Sequence, residues 1–187
     1  MPDTSRRILL VRHGRTAFNA EGRLRGLADP ELDETGIAQA HATALALQPV
    51  GLLAVVSSPL QRAVRTAEII ADSSGVSHDI DAAFNDRDYG PWTGHAKADV
   101  IAQWGSVDAA PGVESSATVL ARAMEALDAL IRSSDRPIAV VTHDAVIRPI
   151  LARIHPDLAP DVETGSWAEI AHTREGWAIL SVDNTAP

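Results

Sequence analysis

The chain has 187 residues, of which 45% are hydrophobic and 22% are charged, and it carries a formal net charge of −9 at pH 7. This length can bury a substantial core, and we predict one domain over residues 1–187. The negative charge excludes a general nucleic-acid or anionic-membrane surface, and the absence of cysteine excludes disulfides, thiolate nucleophiles and Cys-based metal sites.

The first apolar segment follows two arginines, Arg6 and Arg7, an arrangement with a faint likeness to an export signal. Arg12 and His13 interrupt it after four apolar residues, so we predict a core strand there and a cytoplasmic protein. The longest apolar run, residues 50–56, is too short to cross a membrane. A homo-oligomer is compatible with the sequence, which does not specify the number of subunits.

Strands and helices alternate along the chain, which predicts a three-layer α/β/α sandwich with a mostly parallel central sheet. Strands are predicted at residues 8–11, 52–56, 77–80 and 138–141, and a final hairpin at 166–171 and 177–182. Helices are predicted at residues 34–48 after the cap Asp33, at 58–71 with Ser58 as cap, at 96–104, after Ser115 or Ser116, and after His143. Residues 82–95 show no clear period and are predicted to form a loop.

Three of these strands are followed by polar residues that could bind a ligand or take part in catalysis. Arg12 and His13 follow the first strand, Arg62 lies in the first turn of the helix after the second, and His143 follows strand 138–141. Ligands of open parallel sheets bind beyond the carboxyl ends of the strands. We therefore expect these four side chains to converge, although they span 131 residues of sequence.

The four side chains suit phosphoryl transfer, which needs charge stabilisation and positioning more than covalent chemistry. Arg12 and Arg62 offer planar forks that match phosphate oxygens. Surrounding cations lower the pKa of an imidazole and so favour neutral His13, which can attack phosphorus in line. His143 can hydrogen-bond the equatorial oxygens, and Gly14 would let the backbone approach the ligand closely.

Several motifs occur in a fixed order along the chain. They are Arg12-His13-Gly14-Arg15-Thr16 with Asn19, Gly22-Arg23 with Gly26 and Asp29, Leu32-Asp33-Glu34-Thr35-Gly36, Ser57-Ser58-Pro59-Leu60-Gln61-Arg62-Ala63, Phe84-Asn85-Asp86-Arg87-Asp88-Tyr89-Gly90-Pro91-Trp92-Thr93-Gly94, Pro111-Gly112-Val113-Glu114-Ser115, and Val141-Thr142-His143-Asp144-Ala145-Val146-Ile147-Arg148. This series, over residues 7–150, resembles the histidine phosphatase superfamily, the phosphoglycerate-mutase-like enzymes. The order of the motifs makes the resemblance specific, since Arg-His-Gly alone would be a weak signal.

The resemblance implies a role for each matching residue. His13 would be the phosphorylated nucleophile, while Arg12, Arg62 and His143 would hold the phosphoryl group. Asn19 would make a secondary phosphate contact. No cofactor and no metal ion is implied, and the partner would be a small phosphorylated substrate.

Two positions depart from the family pattern. Asp86 stands where relatives usually carry Glu and would be the general acid and then the general base, with Asp88 as an alternative two residues away. Arg25 stands where many relatives carry Gln, and an added cation there would favour a substrate with a second anionic group. Arg23 and Arg25 are equally well explained as exposed loop charges.

Hydrolysis of a phosphomonoester through a phosphohistidine is the function that we predict. A phosphomutase uses the same intermediate, but family mutases tend to carry a longer insertion than residues 86–111 allow. A non-catalytic phosphate-binding domain and a metallohydrolase are two further candidate functions. Against them, the sequence supplies both a nucleophile and an acid, and it lacks a second pair of His or Asp residues at ligand spacing.

Three further residues receive structural interpretations. His41 falls on the apolar face of its helix and is predicted to be buried. Trp92 is predicted to anchor the loop that contains it. Glu114 is predicted to stabilise the start of the helix that follows it.

Overall fold

A computed structural model describes residues 6–187 of the chain, and these residues form one six-stranded sheet with the order β3-β2-β4-β1-β5-β6. The strands are β1 (Arg7–Arg12), β2 (Ala54–Ser57), β3 (Ser77–Ile80), β4 (Ile138–Thr142), β5 (Trp167–Thr173) and β6 (Gly176–Asn184). β3, β2, β4 and β1 are parallel, whereas β5 and β6 are antiparallel and form the predicted hairpin. The prediction of a mostly parallel sheet is thus confirmed.

Helices cover both faces of this sheet. They are α1 (Ala17–Ala20), α2 (Glu34–Leu47), α3 (Gln61–Ser74), α4 (Lys97–Trp104), α5 (Ser116–Ser133) and α6 (Asp144–Ile154). Among residues 6–187, no helix is long and apolar enough to cross a membrane.

The alternation of side chains along the central strand β1 creates two cores. Ile8 and Leu10 pack on the side of α5 and α6, and Leu9 and Val11 pack on the side of α2 and α3. All four side chains are fully buried, as expected for a parallel strand that is covered on both faces. The predicted three-layer α/β/α sandwich is therefore confirmed.

The start of α3 differs from the prediction that Ser58 caps it. The helix begins at Gln61, whose backbone N–H donates to the Asp29 carboxylate at 2.7 Å. The cap thus comes from a residue 32 positions earlier, which local sequence patterns do not reveal. The predicted caps Asp33 and Ser115 are confirmed, since each accepts a hydrogen bond from the first turn of its helix.

The segment between β3 and α5 is mostly irregular, as predicted for residues 82–95, and contains two short 3-10 turns, at Ala82–Phe84 and Gly90–Trp92. It builds a small apolar cluster of its own, separate from the two main cores, from Leu24, Tyr89, Val100 and Ala110. Trp92 packs against this cluster and donates its indole N–H to Pro111 O at 2.9 Å, so it anchors the loop. We call residues 81–115 the acid loop because they carry Asp86.

Candidate active site

Two histidines lie side by side where neighbouring parallel strands end. Arg12 of β1 is in register with Thr142 of β4, so the following residues, His13 and His143, emerge at the same edge of the sheet. Their ring centroids are 5.1 Å apart, and both side chains are completely buried. The structure also brings Arg12, Arg62, Asp86 and Arg25 to this edge.

Hydrogen bonding fixes the tautomer of His13. Its Nδ1 lies 2.6 Å from Gly14 O. Because a carbonyl oxygen only accepts, Nδ1 must carry the proton, which leaves a lone pair on Nε2. Nε2 is buried and has no hydrogen-bond partner among residues 6–187. Burial lowers the pKa of His13 well below its usual value, and the positive charges of Arg62, Arg25 and Arg12 lower it further, so the ring is neutral near pH 7.

The backbone at Gly14 lies close to two helices. A Cβ on Gly14 would overlap the backbone of Gly36 in α2. The Gly14 N–H donates to Thr66 Oγ1 of α3 at 3.1 Å. Gly14 therefore allows the loop after β1 to pack on α2 and α3, and its predicted close approach to a ligand stays a prediction.

Arg62 and Asp86 form a buried ion pair that faces the histidines. Arg62 Nη2 donates to Asp86 Oδ2 and to Gly26 O, both at 2.9 Å. Asp86 Oδ2 also lies 3.6 Å from His143 Nδ1. Burial raises the pKa of Asp86, although Arg62 opposes the shift. Asp88, by contrast, is exposed and accepts the N–H of Gly90 at 2.8 Å.

His143 is held by the residue that the sequence suggested as a helix cap. Its Nε2 lies 2.7 Å from Ser58 Oγ, while its Nδ1 has no partner closer than Asp86. Burial lowers the pKa of His143 well below its usual value, and the charge of Arg62 adds to this. Ser58 therefore orients a neutral imidazole instead of starting α3.

The two remaining arginines are connected by a carboxylate. Arg25 Nη2 lies 2.8 Å from Asp144 Oδ1, and Arg12 Nη2 lies 3.9 Å from the same oxygen. Arg25 is only 8% exposed, so its interpretation as an exposed loop charge is wrong. Arg23 is exposed and pairs with Glu21, so for this residue that interpretation holds.

Asn19 has a structural role beside the site. Its Oδ1 accepts hydrogen bonds from Thr16 N at 3.0 Å and from Thr16 Oγ1 at 2.8 Å, which closes a capping box at α1. The side-chain amide N–H groups of Asn19 are the donors that a phosphate could use. Its phosphate contact stays a prediction.

The sequence did not indicate the residue that holds the acid loop. Arg122 of α5 donates to Ala83 O at 2.6 Å, to Asn85 O at 2.8 Å and to Asp86 O at 3.1 Å, and it pairs with Glu114. Glu114 also accepts the N–H of Asp88, so it supports the loop rather than the start of α5. The partners are up to 39 positions apart, a separation at which no local pattern could identify them.

Arg12 is oriented by the backbone carbonyl of Val162, a residue whose backbone adopts the rare left-handed conformation. Its Nη1 donates to Val162 O at 2.7 Å, and Val162 has a φ of 47°. The carboxylate of Asp183 accepts the N–H of Val162 at 2.9 Å and that of Asp161 at 3.1 Å. A β-branched residue is strained in the left-handed region, and such strain is concentrated at functional sites.

Several buried nitrogens at the site have no hydrogen-bond partner within the described part of the chain. They are His13 Nε2, His143 Nδ1 and the Nε atoms of Arg12, Arg25 and Arg62. Buried polar atoms are rarely left unpaired in proteins, and the three arginine atoms are donors. This set could bind a tetrahedral anion next to the free lone pair of His13. Within residues 6–187, no three His, Cys, Asp or Glu side chains are grouped so that they could hold a metal ion.

Comparison with known proteins gives the same assignment as the motifs. The sequence model of the histidine phosphatase superfamily (branch 1) matches residues 8–185. The glucosyl-3-phosphoglycerate phosphatase of Mycolicibacterium vanbaalenii is 32% identical, with 90% of this chain and 86% of that protein covered. A 2,3-bisphosphoglycerate-dependent phosphoglycerate mutase of Allorhizobium ampelinum is 38% identical, but over only 52% of this chain and 49% of the mutase.

A solved structure is similar over nearly the full chain. The mycobacterial glucosyl-3-phosphoglycerate phosphatase in complex with VO3 has a TM-score of 0.83 and 27% sequence identity, with 96% of this chain and 99% of that chain covered. These two proteins, which match over most of the chain, are phosphatases, and they support the interpretation as a histidine phosphatase enzyme. A phosphoglycerate mutase of Bacillus anthracis also shares the fold, with a TM-score of 0.86 and 20% identity over 95% of this chain. From its sequence and its fold, the chain belongs to branch 1 of the histidine phosphatase superfamily.

Proposed function

We propose that the chain hydrolyses phosphomonoesters of small metabolites in two steps, through a phosphohistidine on His13 Nε2. The observation that carries the proposal is the buried, unpartnered Nε2 of a neutral His13, with the opposite ring nitrogen bonded to Gly14 O. In this proposal, Arg12, Arg62 and His143 hold the phosphoryl oxygens, and Asn19 and Arg25 add donors and positive charge.

In the first step, Nε2 attacks phosphorus and the bond between phosphorus and the ester oxygen breaks. That oxygen leaves with the bonding electrons and takes a proton from Asp86. Asp86 must be protonated at this point, and its buried position, which raises its pKa, supports this role. Asp88 is exposed and turned to Gly90, so Asp86 is the acid that the geometry favours.

In the second step, the Asp86 carboxylate takes a proton from water. The water oxygen attacks phosphorus, the bond between phosphorus and Nε2 breaks, and His13 returns to the neutral form as inorganic phosphate leaves. No step needs a metal ion, so exhaustive chelation is expected to leave turnover intact.

The substrate is expected to be a small phosphorylated metabolite. Glucosyl-3-phosphoglycerate, which the name of one relative gives as its substrate, is the first compound to assay. A phosphomutase would return a rearranged monophosphate instead of free phosphate, so product analysis separates the two functions. A cytoplasmic location and a homo-oligomeric state stay predictions.

Rapid-quench labelling tests the proposal. The protein is mixed with a phosphate-labelled ester, quenched in alkali and analysed for protein-bound phosphate. We expect an alkali-stable, acid-labile adduct in the wild type and none in His13→Ala. The matched control is His41→Ala, because His41 is exposed on α2, contrary to its predicted burial. Turnover without any His13-dependent adduct would refute the covalent mechanism.

A further inference from the structure

A cleft of about 330 Å³ adjoins the phosphoryl site. Its walls come from the acid loop, including α4, and from the start of α6, and its lining includes Leu24, Tyr89, Lys97, Asp108, Asp144 and Arg148. Asp144 belongs to both places, because its side chain lines the cleft and also pairs with Arg12 and Arg25. A substrate whose phosphate lies at His13 would extend its leaving group past this carboxylate.

Asp144 is ionised at neutral pH. Burial alone would raise its pKa, but the charges of Arg12 and Arg25 outweigh burial and hold the pKa below its usual value. The side chain remains 22% exposed, so an oxygen of the carboxylate can interact with a ligand. The cleft therefore presents a fixed negative charge at its boundary with the phosphoryl site.

The ion pair with Asp144 also weakens the attraction of Arg25 for anionic groups of a substrate. A free arginine at this position would attract a second anionic group of the substrate. The charge of Arg25 is instead compensated at 2.8 Å by Asp144. Arg148 is also engaged, since it donates to the carbonyls of Pro160 and Asp161. Asp144 is the charged residue that both lines the cleft and contacts the arginines of the phosphoryl site.

We propose that Asp144 determines specificity by favouring leaving groups with a hydroxyl group near the phosphoester and by disfavouring those with a carboxylate there. A hydroxyl group can donate a hydrogen bond to Asp144, whereas a substrate carboxylate is repelled by it. This inference rests on the proposed phosphatase function. The substrate class is then a phosphorylated polyol or sugar, and glucosyl-3-phosphoglycerate, whose glycerate group carries a carboxylate, is expected to be a poor substrate.

Two probes isolate this effect, because glycerol 3-phosphate and 3-phosphoglycerate differ in one terminal group, a hydroxymethyl against a carboxylate. Each is measured as a competitor of p-nitrophenyl phosphate hydrolysis, which works whether or not the probe is itself turned over. The measured quantity is the ratio of the two inhibition constants. At the separations within one site, a like charge changes binding by roughly tenfold or more.

Three variants make the direction of the effect testable. The wild type is expected to bind glycerol 3-phosphate more tightly. Asp144→Asn removes the negative charge and frees Arg25, so it should shift the ratio roughly tenfold toward 3-phosphoglycerate. Arg25→Gln should shift the ratio of inhibition constants toward tighter binding of glycerol 3-phosphate. The ratio of the double variant should lie between those of the two single variants. The control is Asp108→Asn, because Asp108 also lines the cleft but is 66% exposed and pairs with Arg87.

The outcomes separate the inference from the function on which it rests. Tighter binding of 3-phosphoglycerate by the wild type, an unchanged ratio in Asp144→Asn, or equal shifts in Asp108→Asn would overturn the inference while nitrophenol release continues. Failure of both probes to compete would overturn it as well. Absence of nitrophenol release and of a His13 adduct would refute the phosphatase function itself.

Discussion

The two sides of the active site are held in place by different means. On one side, His13 and His143 follow adjacent strands whose register is fixed by the hydrogen bonds of the sheet. On the other side, Asp86 lies on an irregular loop that is fixed by charged side chains, above all by Arg122 of α5. The sides meet at the fully buried ion pair between Arg62 and Asp86.

Substitutions on the two sides of the active site are therefore expected to act in different ways. The strand ends belong to the main cores, so their geometry follows from the folding of the whole domain. The acid loop inserts Phe84 into the core on the side of α5 and α6, and beyond that it has only a small apolar cluster. The position of Asp86 therefore depends more on hydrogen bonds that can be removed one by one. Changes at the strand ends should therefore act on the reaction directly, and changes around the loop should act through the position of Asp86.

The largest effect is expected for Asp86→Asn, which keeps the shape of the side chain and removes the acid. General acid–base catalysis contributes about 10²–10⁴ to the rate, so steady-state turnover should fall by that factor. p-Nitrophenyl phosphate has a good leaving group and should still give a fast first turnover. Stopped-flow absorbance should then show a burst of nitrophenol, because the phosphoenzyme accumulates. A burst in Asp88→Asn, with Asp86→Asn like the wild type, would show that Asp88 is the acid instead.

Arg62→Ala removes the contact where the two sides meet. The loss of one preorganised charge-stabilising donor costs about 10²–10³ in kcat, and inhibition by vanadate should weaken in parallel. Breaking a buried ion pair also costs about 3–5 kcal/mol of stability, which urea denaturation would measure. Arg65→Ala on the same helix is the control, since Arg65 is exposed and pairs only with Glu68. Near-normal kinetics of Arg62→Ala would contradict its proposed phosphate contact.

Arg122→Ala tests whether the loop depends on its anchor. We expect kcat to fall about tenfold with alkyl phosphates and much less for the first turnover of p-nitrophenyl phosphate, since misplacement of an acid is milder than its loss. Arg122→Lys should recover only part of the rate, because an ammonium cannot reproduce the planar fork. Arg132→Ala, an exposed position on α5, serves as the control. Equal losses with both substrates would indicate a general structural defect instead.

The smallest effect concerns pH and stability. His13 and His143 have lowered pKa values, so the folded protein binds fewer protons than the unfolded chain as the pH falls below about 6.5. The free energy of unfolding should therefore decrease between pH 7.5 and 5.5, by about 1 kcal/mol for each histidine. Urea midpoints at the two pH values measure this, and His13→Gln should reduce the difference. An identical pH dependence in His13→Gln would show that His13 is not buried in its neutral form.

The difference between the strand ends and the acid loop also explains which parts of the site could be predicted from the sequence. The strand ends were found because hydrophobic runs and polar ends are local patterns, and Arg12, His13 and His143 stand directly after such runs. The burial of Arg25, the use of Ser58 by His143 and the anchoring by Arg122 depend on partners that are far away in sequence. His41 was misplaced because the buried face of α2 runs through Ala40, Ala44 and Leu47, and His41 lies one step outside it.

The turn at Val162 also connects catalysis with the order in which the chain is made. Arg12 lies in β1, which is made before β6, yet the carbonyl of Val162 that orients it belongs to a strained residue held by Asp183 of β6. The left-handed conformation costs about 1–2 kcal/mol, which the hydrogen bonds to Asp183 offset. A nascent chain that has not yet paired β6 with β5 therefore lacks the contacts that hold Val162 O against Arg12, and full phosphate binding should be acquired only after β6 is made.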